Sequence, residues 1–260
     1  MNLPSEHNVL TTLLFDVSKA LKENSIEYYL IGGSAIGAVR DHGIIPWDDD
    51  IDIGIQRKNF KQALKIIKDL NLKGTKIYIP SQEDEYDLTF AKIVRDVPSE
   101  RLLDQETGIT GAYIDIFPLD HTPKNKVLRR IHQLIFRIGH ALTVAKNQPD
   151  KLGHKWGKIG GGLLKRYVSR LSYRQVYKKR DIFISIGQLF KKSGVFYNFG
   201  TPYKNDREIY YFSEINGYKL IRFENEFQPV PKGFDAILTR TYGNYMRPPS
   251  SKGQKHLTIL

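Results

Sequence analysis

Cysteine is absent from all 260 residues. That excludes a disulfide framework, a thiolate zinc site and a thiol nucleophile. Long hydrophobic runs are missing too. The best stretch, Leu134 to Ala145, is broken by Arg137 and His140, whereas a membrane span needs ~20 apolar residues. Residues 1–8, with Pro4, Glu6 and His7, lack the charged-then-apolar order of a secretory leader. No internal repeat or low-complexity tract appears. The expected setting is cytoplasmic, with peripheral contact at the inner membrane face as the variant. What is present is ordinary for a globular protein: 40% apolar and 26% charged residues.

Charge is divided unevenly. Residues 1–120 hold 13 Lys and Arg against 20 Asp and Glu, while residues 121–260 hold 27 against 8. Segment 124–192 alone has 18 basic and 2 acidic residues. An acidic half suits cations and a basic half suits polyanions such as phosphates, nucleic acid or an anionic membrane. A solvated helical face is the plainer reading of the same basic run.

Periodicity orders the chain. Val9, Leu10, Leu13, Leu14, Val17 and Leu21 predict a helix over 6–23. Ile26 to Ile31 reads as a strand that enters Gly32-Gly33-Ser34 and a short helix, Ala35 to Arg40. Asp50 to Ile55 alternates as a strand does, and Lys58 to Leu70 is helical. Leu88 to Val94 and Ala112 to Phe117 read as further strands. Residues 125–145 and about 160–192 read as basic helices, with Gly160-Gly161-Gly162 as a linker. Residues 194–224 are aromatic-rich and read as irregular, and Gly233 to Tyr242 as a last helix. The expectation is an α+β fold with a mixed sheet core flanked by helices. Residues 1–120 would form the catalytic core, and 121–260 a basic, mainly helical region completing the donor and acceptor site.

Chemistry concentrates in residues 30–55. On a strand, Asp48, Asp50 and Asp52 share one face while Ile51, Ile53 and Ile55 enter the core. Neighbouring carboxylates repel unless a cation lies between them. A few hard oxygen ligands suit Mg²⁺, which keeps sites for water and phosphate. Upstream, Gly32 and Gly33 allow close backbone approach to a phosphate, and Ser34 adds a hydroxyl. Asp115, set between Ile114 and Ile116, is a candidate third carboxylate. Arg40 and Lys92 are candidate phosphate clamps; structural ion pairs are the alternative for both. His42, His121 and His256 have no partners at metal-ligand spacing and read as structural.

Gly-Gly-Ser, then Asp-x-Asp, then a separate Asp resembles the layout of the nucleotidyltransferase superfamily. More closely, GGSAIGAVRDHGIIPWDDDIDI, FAKIV (90–94), YIDIFPLD (113–120) and FDAILTRTYGNYMRPPSSKGQKH (234–256) resemble the LicD family of phosphotransferases, which includes the fukutin-related proteins. The resemblance implies a nucleotidyltransferase-like fold. It implies that Asp50 and Asp52 bind metal and that Asp115 binds metal or receives the acceptor proton. It implies a phosphate loop at Gly32, Gly33 and Ser34, and Mg²⁺ as cofactor with Mn²⁺ as substitute. The implied reaction moves a phospho-alcohol, commonly phosphocholine, from a CDP-activated donor to a glycan or lipid-linked glycan hydroxyl, such as a teichoic acid precursor, and releases CMP. Departures from the family are Ser34 for a commoner Thr, Ala35-Ile36 for a Leu pair, and Arg101 for a small polar residue.

Three alternatives stay open. The cargo could be an alditol phosphate from CDP-ribitol or CDP-glycerol. The core could be a nucleotidyltransferase acting on nucleic acid or a small nucleotide, although no nucleic-acid module is recognisable and none is expected as partner. A non-enzymatic scaffold with a vestigial site is the third. If choline is the cargo, aromatic rings among residues 196–223 could hold its quaternary ammonium.

Overall fold

The computed structural model describes residues 3–84, 86–97, 108–147, 157–201, 203 and 206–249; Arg101, His256 and the tail beyond 249 lie outside the described residues. The chain runs α1 (Leu3–Glu23), β1 (Tyr29–Leu30), α2 (Gly32–Ile36) continuing as a π-helical turn (Gly37–Asp41), β2 (Asp50–Gln56) and α3 (Arg57–Asp69). Next come β3 (Thr75–Tyr78), β4 (Ala91–Arg95), β5 (Ala112–His121), α4 (Lys126–Asn147), α5 (Gly157–Ser169), α6 (Tyr173–Ser185) and a 3₁₀ segment (Ile186–Ser193). It closes with β6 (Val195–Asn198), β7 (Ile209–Tyr211), α7 (Phe212–Ile215), β8 (Tyr218–Phe223), β9 (Glu226–Pro231) and α8 (Phe234–Tyr242).

β5 is the spine of a mixed sheet ordered β1-β2-β5-β4-β3. It pairs in parallel with β2 on one edge. On its other edge the first half pairs with β4 and the last three residues with β6, which continues to β7. Splitting one edge between two partners curls the sheet. The fold is therefore α+β and nucleotidyltransferase-like, as expected. One face carries Ile51, Ile53, Ile55, Ile114 and Ile116, all fully buried against Leu10, Leu13, Leu14 and Val17 of α1. Each such side chain contributes ~1.5–3 kcal/mol by leaving water. The same core includes Phe223, Val230, Leu238 and Tyr245 from the end of the chain.

Several local expectations are corrected. The strand at Ile26–Ile31 shrinks to Tyr29–Leu30, because Ser25 takes φ 55° and the Ile26 N–H donates to Leu21 O at 2.8 Å, finishing the helix before the sheet begins. The strand expected from Leu88 starts only at Ala91. Buried Arg180 donates to the carbonyls of Asp87 and Leu88, replacing a strand partner. Gly160-Gly161-Gly162 is no linker; its backbone lies within α5. The long helix over 160–192 breaks at Ser172, whose Oγ accepts from the Gln175 N–H while Gln175 Oε1 accepts from the Ser172 N–H. The supposedly irregular 194–224 holds β6, β7, α7 and β8. Those strands are only three to six residues long, too short for alternation to stand out.

Candidate active site

Strand register assembles the site. Asp52 on β2 stands opposite Asp115 on β5, and Asp115 opposite Lys92 on β4. Directly opposed residues project from the same face. Asp50, two residues before Asp52, joins that face, and the isoleucines between them anchor the other. The fork of Arg57 holds both carboxylate oxygens of Asp120 at 2.7 Å, tying the start of α3 to β5.

The resulting cluster is dense. Carboxylate oxygens of Asp50, Asp52 and Asp115 all lie within 4.8 Å of one another, as do those of Asp48, Asp49 and Asp50. Lys92 Nζ sits 2.6 Å from Asp115 Oδ1 and 3.5 Å from the centre of the Tyr113 ring. Both members of that ion pair are buried, Lys92 at 1% and Asp115 at 6% exposure. The ammonium of Lys92 is thus enclosed beside a cluster of three carboxylates, paired with Asp115. Burial, then the charges of Asp50, Asp115, Asp48 and Glu208, push the Asp52 carboxyl well above the usual carboxylate range. Desolvation and crowding of like charge act together here. The donor set fits a hard divalent cation: close carboxylate oxygens and excess negative charge, with only aspartates in the groups found among the described residues.

The glycine pair lies directly on these acids. Gly32 has φ +58°, and a Cβ there would stand 2.5 Å from Asp52 Oδ2; a Cβ on Gly33 would stand 2.8 Å from Asp48 Oδ2. Ser34 is buried, and its Oγ accepts from the Asp52 N–H at 2.8 Å. The hydroxyl therefore locks the loop onto β2 and keeps its own proton for donation. Arg40 engages elsewhere. It donates to the Asp41 carboxylate at 2.7 Å and to Tyr245 O at 3.2 Å, and stacks over Trp47. Lys92 is likewise the counter-ion of Asp115, so both expected clamps are engaged in ion pairs in this structure.

Sequence reasoning missed Glu208. It lies just before β7, buried, with Oε2 accepting from Asn198 Nδ2 at 3.2 Å. Burial pushes its carboxyl up to about 7. Its charge acts on Asp52, Tyr203, Tyr210 and Tyr242, and the rings of Tyr203 and Tyr242 meet edge-on at 5.5 Å. An acid and three phenols thus border the carboxylate cluster. A signal existed in the isolated acid ahead of Ile209-Tyr210-Tyr211, but nothing local linked it to Asp52, more than 150 residues away.

Comparison with known proteins gives one family match and three relatives. Residues 25–146 match the family described as LicD/FKTN/FKRP, nucleotidyltransferase domain. The chain is 26% identical to the lipopolysaccharide cholinephosphotransferase LicD of Haemophilus influenzae over 96% of its own length and 94% of that protein. It is also 38% identical to an uncharacterized protein of Rickettsia typhi and 37% to one of Rickettsia prowazekii. Those matches span 42% and 30% of the chain, and only 37% and 29% of the rickettsial proteins.

Proposed function

Since the chain belongs to the LicD family, we propose that it transfers phosphocholine from CDP-choline to a hydroxyl of a cell-surface glycan or teichoic acid precursor. The observation that carries this reading is the convergence of Asp50, Asp52 and Asp115, with oxygens within 4.8 Å, on the sheet face next to Gly32 and Gly33. Asp50, Asp52 and Asp115 would hold Mg²⁺, or Mn²⁺ in its place, which supplies charge neutralisation on the donor pyrophosphate. Gly32 and Gly33 let the loop backbone lie against the Asp52 and Asp48 carboxylates, and the Ser34 hydroxyl is the nearby donor toward phosphate. The acceptor oxygen forms the new bond to the phosphorus that carries the alcohol. The bridging P–O bond breaks, CMP departs with that electron pair, and the acceptor proton passes to Asp115 or water. A carboxylate is intrinsically a weak base, so the part of Asp115 is to orient the hydroxyl. The basic half of the chain would complete the donor and acceptor sites.

Choline is favoured over an alditol by the surroundings of Glu208. The half-buried rings of Tyr203 and Tyr242 meet edge-on beside the buried carboxyl of Glu208, whose charge acts on Asp52. That combination attracts a quaternary ammonium and gives a neutral polyol little. Calorimetric titration with CDP-choline, CDP-ribitol, CDP-glycerol, ATP and a short RNA, each with Mg²⁺ and again with EDTA, tests the reading. Mg²⁺-dependent binding of CDP-choline is expected. Binding of a CDP-alditol instead would move the cargo, and binding of ATP or RNA with every CDP donor silent would overturn the reaction class.

A further inference from the structure

Helix α4 is built inside out. An amphipathic helix ordinarily turns its apolar stripe to the core. Here the inward face of the first half holds Arg129, His132 and Gln133, all buried, and the second half adds Gly139, Thr143 and Ala145. Most of their polar groups are matched: Arg129 Nη2 and Gln133 Nε2 donate to Asp206 at 2.9 and 2.7 Å, and His132 Nδ1 meets Thr122 Oγ1 at 3.2 Å. The apolar residues Val127, Ile131, Leu134 and Ile138, at spacings of four, three and four, face outward, with Val127 66% and Leu134 58% exposed. Lys126, Arg130 and Arg137, at spacings of four and seven, run along one side of that stripe and are exposed. At the N-terminus of α4 a groove of about 520 Å³ continues the pattern, with Leu128, Leu189 and Phe190 among Lys124, Lys191 and Lys192.

We propose that this face docks on an anionic lipid bilayer, with the α4 stripe and Leu189 entering the headgroup–acyl boundary and the flanking lysines and arginines meeting lipid phosphates. Charge selects this occupant. Segment 124–192 has 18 basic residues against 2 acidic, so a second copy seated on the same face would set like charges against each other. A neutral glycan offers neither apolar surface nor negative charge. A bilayer containing acidic lipids offers both at once. None of the described helices is long and apolar enough to cross a membrane, so the helix lies in the surface plane. The surface faces outward from the sheet and stands independently of the phosphotransfer reading.

The test is flotation of the full chain with phosphatidylcholine vesicles, made with and without phosphatidylglycerol. The chain should float with the acidic vesicles and stay behind with the neutral ones, and added salt should weaken the association. The double variant Ile131→Glu, Leu134→Glu should lose at least about tenfold in partitioning while its circular dichroism and melting temperature match the parent, because both side chains are already exposed. A second variant, Lys191→Glu with Lys192→Glu, should lose at least about tenfold while leaving the apolar stripe whole. Equal recovery with both vesicle types overturns the proposal. So does a parent that sediments as a dimer and becomes monomeric on Ile131→Glu, Leu134→Glu, which would give the face to a second copy.

Discussion

Lys92 and Asp115 face each other across β4 and β5, with Nζ 2.6 Å from Oδ1, and neither side chain reaches solvent appreciably. The pair sits in the same row as Asp52, so its ammonium is the protein's own partial answer to the charge it has gathered. A buried ion pair adds little net stability, but losing one partner strands a charge. Lys92→Met should therefore cost about 3–5 kcal/mol, a fall in melting temperature on the order of 10 °C. Adding Mg²⁺ should restore more of that loss than it adds to the parent, because a cation then does part of the lysine's work. The check is a thermal melt with Mg²⁺ and with EDTA. A variant that melts with the parent in EDTA would show that Asp115 has no need of Lys92.

Removing a carboxylate should have the opposite effect on stability. Asp50 is the strongest charge raising the Asp52 carboxyl, so Asp50→Asn relieves repulsion between folded-state neighbours. The variant should melt higher than the parent in EDTA, bind Mg²⁺ more weakly and lose about a thousandfold in turnover. Loss of activity with loss of fold would make Asp50 a structural acid. Wild-type turnover would remove it from the metal-binding set.

Glu208 gives a pH signature. Its carboxyl is pushed from 4.5 up to about 7 by burial, against weaker opposing hydrogen bonds from Thr201 and Asn198. The folded state then holds a proton that the unfolded chain has released between those two values. Stability from this group is fully present below pH ~4.5, falls as pH rises toward 7, and stays lower above it. The span amounts to about 3 kcal/mol. Glu208→Gln should flatten that slope in urea melts across pH 5 to 8. If the acid also faces the choline cation, the same variant should raise KM for CDP-choline more than for CDP-ribitol. Equal changes in both would leave Glu208 a buried structural acid.

The sequence displayed parts of this site and hid others for definable reasons. Asp50, Asp52 and their isoleucines form a period-two pattern within one strand, so their shared face could be read locally. The alignment of Asp115 with Asp52 and of Lys92 with Asp115 depends on register between strands far apart in the chain, which no local pattern encodes. Glu208 joins from the turn that precedes a strand of only three residues. Arg180 was hidden among its basic neighbours, although it is fully buried and holds the carbonyls of Asp87 and Leu88. In α4 the helical spacing was plain, but which face would be buried was not. Polar residues normally face water, and here Asp206 draws Arg129 and Gln133 inward.

Two glycines separate the demands of the site from those of the scaffold. Gly32 has φ +58° and no space, since a Cβ would stand 2.5 Å from Asp52 Oδ2. Gly32→Ala should cost about 1–2 kcal/mol for the left-handed backbone alone. It should also displace the Asp52 carboxylate, lowering turnover and Mg²⁺ affinity together. Gly162, within α5, has nothing within 4 Å of its would-be Cβ and an ordinary helical backbone. Gly162→Ala should stabilise by about 0.5–1 kcal/mol through helix propensity and leave turnover unchanged. Melting curves and Mg²⁺ titrations of the two variants, side by side, check both. A destabilising Gly162→Ala would argue that the triple-glycine segment is not helical in solution. A Gly32→Ala variant with full Mg²⁺ affinity would show that the loop does not press on the carboxylates.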